Sequence, residues 1–568
     1  MGLVSELRRR NVFRMAALYA AAAWLVMQVV DVVEGKLPLP DWMGSAVLTV
    51  LAVGFPIALV ISWFYELTPE GLSPEKDVDP EASITHVTGR RLDFLVISLL
   101  CAAVILFAYD KWWISGPPVQ SIAVLPFANM SDDPNNEYFS DGISEDILNL
   151  LAGVPQLRVT SRSSAFSFKG QNLDVPTMAA KLNVAHVLEG SVRKSGNQLR
   201  IVAQLIDVES DTHLWSETYD RELENVFAIQ DEIAAAVVSA LKITLLGKEP
   251  RAIETNPEAY ALYLQGLHFS NQLSAESSKK AERLLKQALE IDPVYAPAWA
   301  ELGTVYERQA ADFGNRTVDQ GNELARDASQ KALAIDPQYG PAYAPLARVE
   351  MFYDWDFSSS DQHLQQALTL NPGGARILFS TGELNRMLGR VDEAVDSMQQ
   401  STALDPLYFF GHVWLGDMYY RARRLEEAAD SLQMALTLNP DGYAAHNKLG
   451  LVLLAQGDAP AALLEIEQET NKVRHLYGMA IVQHALGDTE ASDAALQELT
   501  DMAGTSWAYQ IALVYAFRGE IDEAFAWLEQ AYDKRDGGMT HLLLDPLLVN
   551  LHDDRRWEPL LDKMGLPH

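Results

Sequence analysis

Three regimes of hydrophobic patterning divide the chain. Up to about residue 118 the apolar residues form long runs: Met15 to Val33, broken only by Gln28 and Asp31, then Gly44 to Tyr65, and Leu92 to Tyr109. Runs of that length cross a hydrocarbon core at the helical rise, so three transmembrane helices are predicted over about 15–33, 44–65 and 92–109. Between 119 and 247 the apolar runs are short and several alternate with polar residues, as strands do, with amphipathic stretches between them. Beyond 255 the spacing is helical throughout, as in Trp299, Leu302, Gly303 and Tyr306, and again in Ala428, Leu432 and Ala435.

Basic residues orient the first regime. Arg8, Arg9, Arg10 and Arg14 precede the first run, and Lys76, Arg90 and Arg91 lie between the second and third. Those flanks are expected in the cytoplasm. Everything after about residue 110 is then expected outside the inner membrane, in the periplasm of a bacterial cell. Asp31 and Asp93 lie near span ends, where they reach headgroups. The loop 66–89, containing ELTPEGLSPEKDVDPEAS, reads as an irregular cytoplasmic connector.

An Asx-Pro dipeptide punctuates the third regime at Asn256-Pro257, Asp292-Pro293, Asp336-Pro337, Asn371-Pro372, Asp405-Pro406 and Asn439-Pro440, at intervals of 36, 44, 35, 34 and 34 residues. A fixed period of this size marks a stacked helical array. Each unit reads as two short helices, with Pro where the second cannot continue. The pattern resembles the tetratricopeptide repeat (TPR), and implies an all-α solenoid of about eight units over 255–536 with a helical cap at 537–568. Gly457, Gly487 and Gly519 fall at the turns inside three units, and Gly303, Gly382, Gly416 and Gly450 where paired helices approach closely. Trp299, Tyr343 and Trp414 read as core. The three-span region with its ELTPEG loop resembles the N-terminal part of bacterial membrane-bound TPR proteins.

In the middle regime, Ser121–Phe127 reads as a strand, 139–152 as a helix capped at Ser140 or Asp141, Leu157–Ser161 as a strand and Val175–Leu182 as a helix. His186–Val192 and Leu199–Val208 flank Ser195-Gly196-Asn197 as a hairpin, and a last helix runs from about 226 to 246. The order β-α-β-α-β-β-α predicts an α/β sandwich over 119–247. Ile122–Phe127, Phe139–Glu145, Val187–Val192, Leu205–Val208 and Leu214–Ser216 resemble the amino-terminal domain of TolB-type periplasmic proteins. That likeness implies a protein-interaction module at the envelope. A related arrangement occurs where the same α/β domain and repeats follow a nucleotide cyclase or a winged-helix DNA-binding domain.

Charge narrows the partners. The chain carries 77 acidic and 44 basic residues, and the surplus lies almost wholly after residue 118. Such a surface repels phosphate backbones, so nucleic acid is not an expected partner. The single cysteine, Cys101, excludes an intrachain disulfide. Asp141, Glu145 and Asp146 read as an acidic first turn complementing a helix dipole rather than a metal site. No phosphate-binding, zinc or nucleophile motif is present, so no catalytic residue, metal or cofactor is assigned and the chain is expected not to be an enzyme. The predicted function is a membrane-anchored scaffold holding a protein or peptide partner in the concave face of the repeats. Glu301, Arg348, Glu383, Arg386, Asp417 and Lys448 on first helices are the candidate contacts. The alternative is a transmembrane receptor coupling ligand binding outside to the cytoplasmic loop.

Overall fold

The computed structural model describes residues 120–243, 252–311, 316–504 and 506–567 except 172, the segments 65–68 and 71–74, and scattered positions within 16–27 and 47–56. Two compact units result, Met1–Pro118 and Val119–His568. In the first, β1 (Tyr65–Thr68) pairs antiparallel with β2 (Gly71–Pro74), so the connector expected to be irregular contains a hairpin. The predicted spans 15–33 and 44–65 fall mostly outside the described residues, and 92–109 falls wholly outside them. Among the described residues no helix is long and apolar enough to cross a membrane.

The second unit begins with a mixed sheet in the order β5-β3-β6-β7-β8. Its strands are β3 (Gln120–Val124), β5 (Leu157–Val159), β6 (His186–Ser195), β7 (Gln198–Asp207) and β8 (Thr212–Glu222), with a short β4 (Ala128–Asn129) beside β6. β3 runs parallel to β5 and β6, and β6, β7 and β8 are antiparallel. The β6–β7 reversal is Gly196–Asn197, with Gly196 at φ +59°, a backbone region that costs glycine nothing. Sequence pattern missed β8 as a strand. Of its eleven residues only Tyr219 is buried, so this edge strand lacks the alternation that would mark it. The helices here are α1 (Glu137–Ala152), α2 (Arg162–Phe166), α3 (Val175–Leu182) and α4 (Val226–Ala240).

The repeats follow as paired helices. Unit one is α5 (Pro257–Ser270) with α6 (Ala275–Ile291), and unit two is α7 (Ala296–Ala311) with α8 (Val318–Ile335). Unit three pairs α9 (Tyr343–Val349), extended by a π-helical turn Glu350–Asp354, with α10 (Phe357–Leu370). Unit four is α11 (Ala375–Met387) with α12 (Val391–Leu404), and unit five α13 (Phe409–Arg421) with α14 (Leu425–Leu438). Units six to eight are α15 (Ala445–Ala455) with α16 (Ala459–Glu467), α17 (Lys472–Ala485) with α18 (Thr489–Ala503), and α19 (Ala508–Arg518) with α20 (Ile521–Asp533). The long second interval arises because α7 and α8 are both extended, α8 to 18 residues.

The Asx-Pro signature has a local cause. In unit one Asn256 caps the helix at Glu258 N, 2.8 Å away, with Pro257 at the first helical position. Between units Asp292 and Asp336 accept from the amides two residues on, at 3.1 and 2.9 Å, and so fold the turn. The proline carbonyl is then met by a ring six residues later. Trp299 donates to Pro293 O at 2.9 Å, Tyr343 to Pro337 O at 3.0 Å, and His412 and His446 contact Pro406 O and Pro440 O at 2.9 and 3.0 Å. Close packing within a unit needs a small residue. A Cβ on Gly416 would lie 2.7 Å from Leu432 Cγ and 3.2 Å from Ala428 O.

The α/β domain and the first units are not separate bodies. One core runs from Ile122, Ile143, Ile147 and Leu151 through Tyr260, Leu264 and Leu267 to Leu285.

Candidate functional site

The inner face of the array is lined by the first helix of each unit. Leu264, Glu301, Trp414 and Lys448 occupy one register there, each two residues before the glycine that faces the second helix (266, 303, 416 and 450). All six candidate residues lie on first helices, and all six are engaged within the chain. Glu301 on α7 accepts from Ser270 on α5. Arg348 on α9 bridges two neighbouring units, its Nε 3.1 Å from Glu307 and its Nη1 2.7 Å from Glu383. Burial pushes the Glu383 carboxyl above its ordinary pKa, with Arg348 and Arg386 opposing.

Further along, Asp417 on α13 lies 2.7 Å from Arg421 Nε and is also bonded by Lys448 on α15. Burial opposes its ionisation, but the two cations outweigh burial and hold the carboxyl well below the usual carboxylate range. Arg386 on α11 is 2 % exposed. Burial and the nearby Arg421 bring its pKa down to about 10, which leaves it charged at neutral pH. Lys448 Nζ lies 4.9 Å from the centre of the Trp414 ring, and the Arg386 guanidinium carbon 5.9 Å from it. Trp414, read from sequence as core, packs half-buried against the core and also belongs to this cluster. Its register with Glu301 and Lys448 is the signal that would have placed it there.

The long free groove expected from the repeats is filled by the chain itself at both ends. At the first units the occupant is α1. Asp146 accepts from Tyr260 OH and, at 3.1 Å, from Gln230. Glu145 pairs with Arg162 at 2.6 Å and lies 3.4 Å from Asn271 Nδ2, and Asp141 pairs with Lys169 and lies 3.6 Å from His268. The acidic trio is therefore not a dipole-complementing first turn. The helix begins at Glu137, one turn earlier than the sequence suggested, which moves all three residues into its middle. Among the described residues no group of three His, Cys, Asp or Glu could hold a metal ion. Farther along, Ser163 and Ser164 both donate to Asp405, and Ser161 N donates to Leu404 O at 2.7 Å.

At the last units the occupant is the segment after α20. Expected as part of a helical cap, it runs instead as two 3₁₀ stretches, Gly537–Leu544 and Pro546–Leu551, before α21 (Trp557–Met564). Arg386 Nη1 donates to Thr540 O at 3.0 Å, and Tyr509 OH donates to Asp545 at 3.1 Å. The His541 ring stacks on Trp414 with centroids 5.7 Å apart. The end of α20 returns to unit three, where the Tyr532 ring lies 5.8 Å from that of Trp355 and Arg535, just past the helix, donates to Tyr353 O at 2.6 Å.

The Asp146 carboxyl carries a pH dependence. Burial, aided by Glu145, raises its pKa to about 7 against the hydrogen bonds of Tyr260 and Gln230. Because the folded pKa lies above the unfolded one, the stability it contributes is complete below about pH 4 and is lost as pH rises through 7. Asp146→Asn retains an acceptor for Tyr260 without the charge. Its stabilisation relative to wild type is expected to grow from near zero below pH 4 to about 4 kcal/mol at pH 8. Urea midpoints across that range measure the gap, and a constant gap would remove Asp146 as its cause.

Comparison with known proteins adds three findings. Residues 356–408 and 416–457 match tetratricopeptide repeat families, and 119–236 match the second domain of HilA/YgeH-like transcriptional regulators. The likeness of that region to TolB amino-terminal domains rests on its sequence motifs alone. A protein of Rhizobium meliloti (strain 1021) named putative adenylate cyclase 3 is 46% identical over 193 residues, which are 33% of this chain and 33% of the relative. The chain thus spans about a third of the length of the curated relative it matches. This finding overturns the expectation that the chain is not an enzyme. Among solved structures, Pseudomonas aeruginosa PilF is 21% identical, covering 39% of this chain and 96% of its own, with a TM-score of 0.31. PilW, a type IV pilus biogenesis factor, is 19% identical, covering 36% and 93%, with a TM-score of 0.32.

Proposed function

We propose that this chain is a membrane-anchored scaffold whose TPR array binds a protein or peptide partner, with the α/β domain as an accessory contact. One observation carries the binding role. Eight stacked helix pairs occur among the described residues, and in three of them Glu301, Trp414 and Lys448 stand in the same register along one inner face, the kind of surface by which repeat proteins recognise extended segments. The core shared by the α/β domain and the first units favours their acting as one body. Anchoring is supported by the apolar runs at 15–33, 44–65 and 92–109 and by their basic flanks, which argue for a cytoplasmic N-terminus and a periplasmic array.

A photo-reactive residue at position 448, on the inner face, and another at 279, on the exposed side of α6, test the binding role in intact membranes. Proteins captured at 448 and not at 279 are expected. Identical captures at both would remove the inner face as the binding surface. A reporter enzyme fused after Lys111 and active only in the cytoplasm should stay silent, and its activity would overturn the proposed topology.

The 46% identity to a cyclase-named protein favours a second reading, in which the chain takes part in nucleotide cyclisation. In that reaction the ribose 3′-oxygen of ATP attacks the α-phosphorus, pyrophosphate leaves, and the hydroxyl proton passes to a base. Incubation of the purified full chain with ATP and Mg²⁺, with chromatography for cyclic AMP, tests it directly.

A further inference from the structure

We infer that Gly537–Leu551 is a strap held in the peptide-binding face as a resident ligand, and that the partner displacing it is an acidic peptide segment. The inference rests on the scaffold reading above and adds the regulation and the partner chemistry. The strap is tied to the array at both ends. It begins after Asp536, three residues beyond α20, and the chain returns to α20 through Lys563 of α21, 3.1 Å from Glu529, and Arg556 just before α21, 2.9 Å from Asp522. These two ion pairs tie the chain after the strap to α20 without involving the strap itself.

Its contacts are those of a bound peptide rather than of a ninth repeat. It forms no helix pair. Its Thr540 carbonyl is taken by Arg386, its Asp545 carboxylate by Tyr509 and, at 3.6 Å, by Arg421, and its His541 ring by Trp414. Met539, Leu542, Leu548 and Leu551 are its apolar anchors, all four fully buried in the core of the last units.

The fit leaves donors unused, and this points to the displacing chemistry. Arg386 Nε and Arg421 Nη1 are buried without a hydrogen-bond acceptor among the described residues, and His541 Nδ1 is buried without a partner. Buried donors left unmet are costly. A segment bringing an additional carboxylate would meet the two guanidinium groups better than His541 does. Burial, and after it Arg386, Arg421 and Lys448, keep the imidazole pKa well below its ordinary value, with only Asp417 opposing. A carboxylate in that place is attracted by the same three cations.

The test uses the full chain, wild type and with His541→Ala plus Asp545→Ala. The probe is a fluorescent peptide of residues 536–547, alongside a form with both its aspartates replaced by asparagine. The peptide is expected to bind the variant at least ten-fold more tightly than wild type, and the asparagine form at least ten-fold more weakly than the peptide. Hydrogen exchange on wild type alone supplies a readout free of folding defects. Amides of 537–545 should exchange at least ten-fold faster than those of Ile511 to Val514 in α19. Equal peptide affinity for both chains overturns the inference, and so does strap exchange at the α19 rate. Either result with partner capture retained at position 448 removes the strap and leaves the scaffold reading standing.

Discussion

Asp417→Ala lowers the stability of the repeat array by about 3 kcal/mol, because removing one partner of a buried ion pair strands the others. Arg421 and Asp417 have side chains 6 % and 5 % exposed, and Lys448 is at 17 %. Without the carboxylate, Arg421 keeps only the 3.6 Å approach of Asp545, and Lys448 keeps only the Trp414 ring. Asp417→Asn, which still accepts from Arg421, is expected to cost less. Urea denaturation followed by circular dichroism measures both. The carboxylate's contribution is present above its unfolded pKa, near 4, and is lost as pH falls below it, so the gap between wild type and Asp417→Ala should narrow toward pH 3. A gap that is unchanged across that range would show that packing, not charge, sets the loss.

Gly142→Val is expected to loosen the α/β domain from the repeats, at a cost of about 2–3 kcal/mol. A Cβ at this position of α1 would lie 2.5, 2.8 and 3.0 Å from Leu264 Cδ2, Cδ1 and Cγ, so the whole leucine side chain stands in its way. Leu264 is fully buried in the core that joins the two parts, and it has little room to turn. Alanine in a helix is otherwise favoured over glycine by about 1 kcal/mol, so Gly142→Ala separates the collision from helix propensity. If the collision governs, adding Leu264→Ala should recover part of the loss, giving a coupling in a double-mutant cycle. Simple additivity of the two substitutions would place the strain elsewhere.

Both effects arise where residues distant in the chain meet, and such meetings were the least legible part of the sequence. Periodicity exposed the repeat units because each helix pair is closed by contacts within about 35 residues, including the Asx turn, the glycine facing the second helix and the ring over the proline carbonyl. The inner-face register was readable too, and it lines Trp414, which packs half-buried against the core, up with Glu301 and Lys448. Strand β8 escaped because an edge strand exposed on both faces has no alternation to detect.

What the sequence alone determined is therefore local: the repeat, its period, four strands of the mixed sheet, the apolar runs near the N-terminus and the surplus of negative charge. Tertiary structure decided which polar groups share a site. Asp146 meets Tyr260 across 114 residues, Ser164 meets Asp405 across 241, and Arg386 meets Thr540 across 154. Side-chain spacing encodes a helix face because neighbours in space are neighbours in the chain. No comparable rule links an acidic helix or a C-terminal strap to the groove it fills, since that choice is made by shape and charge only after the helices have stacked.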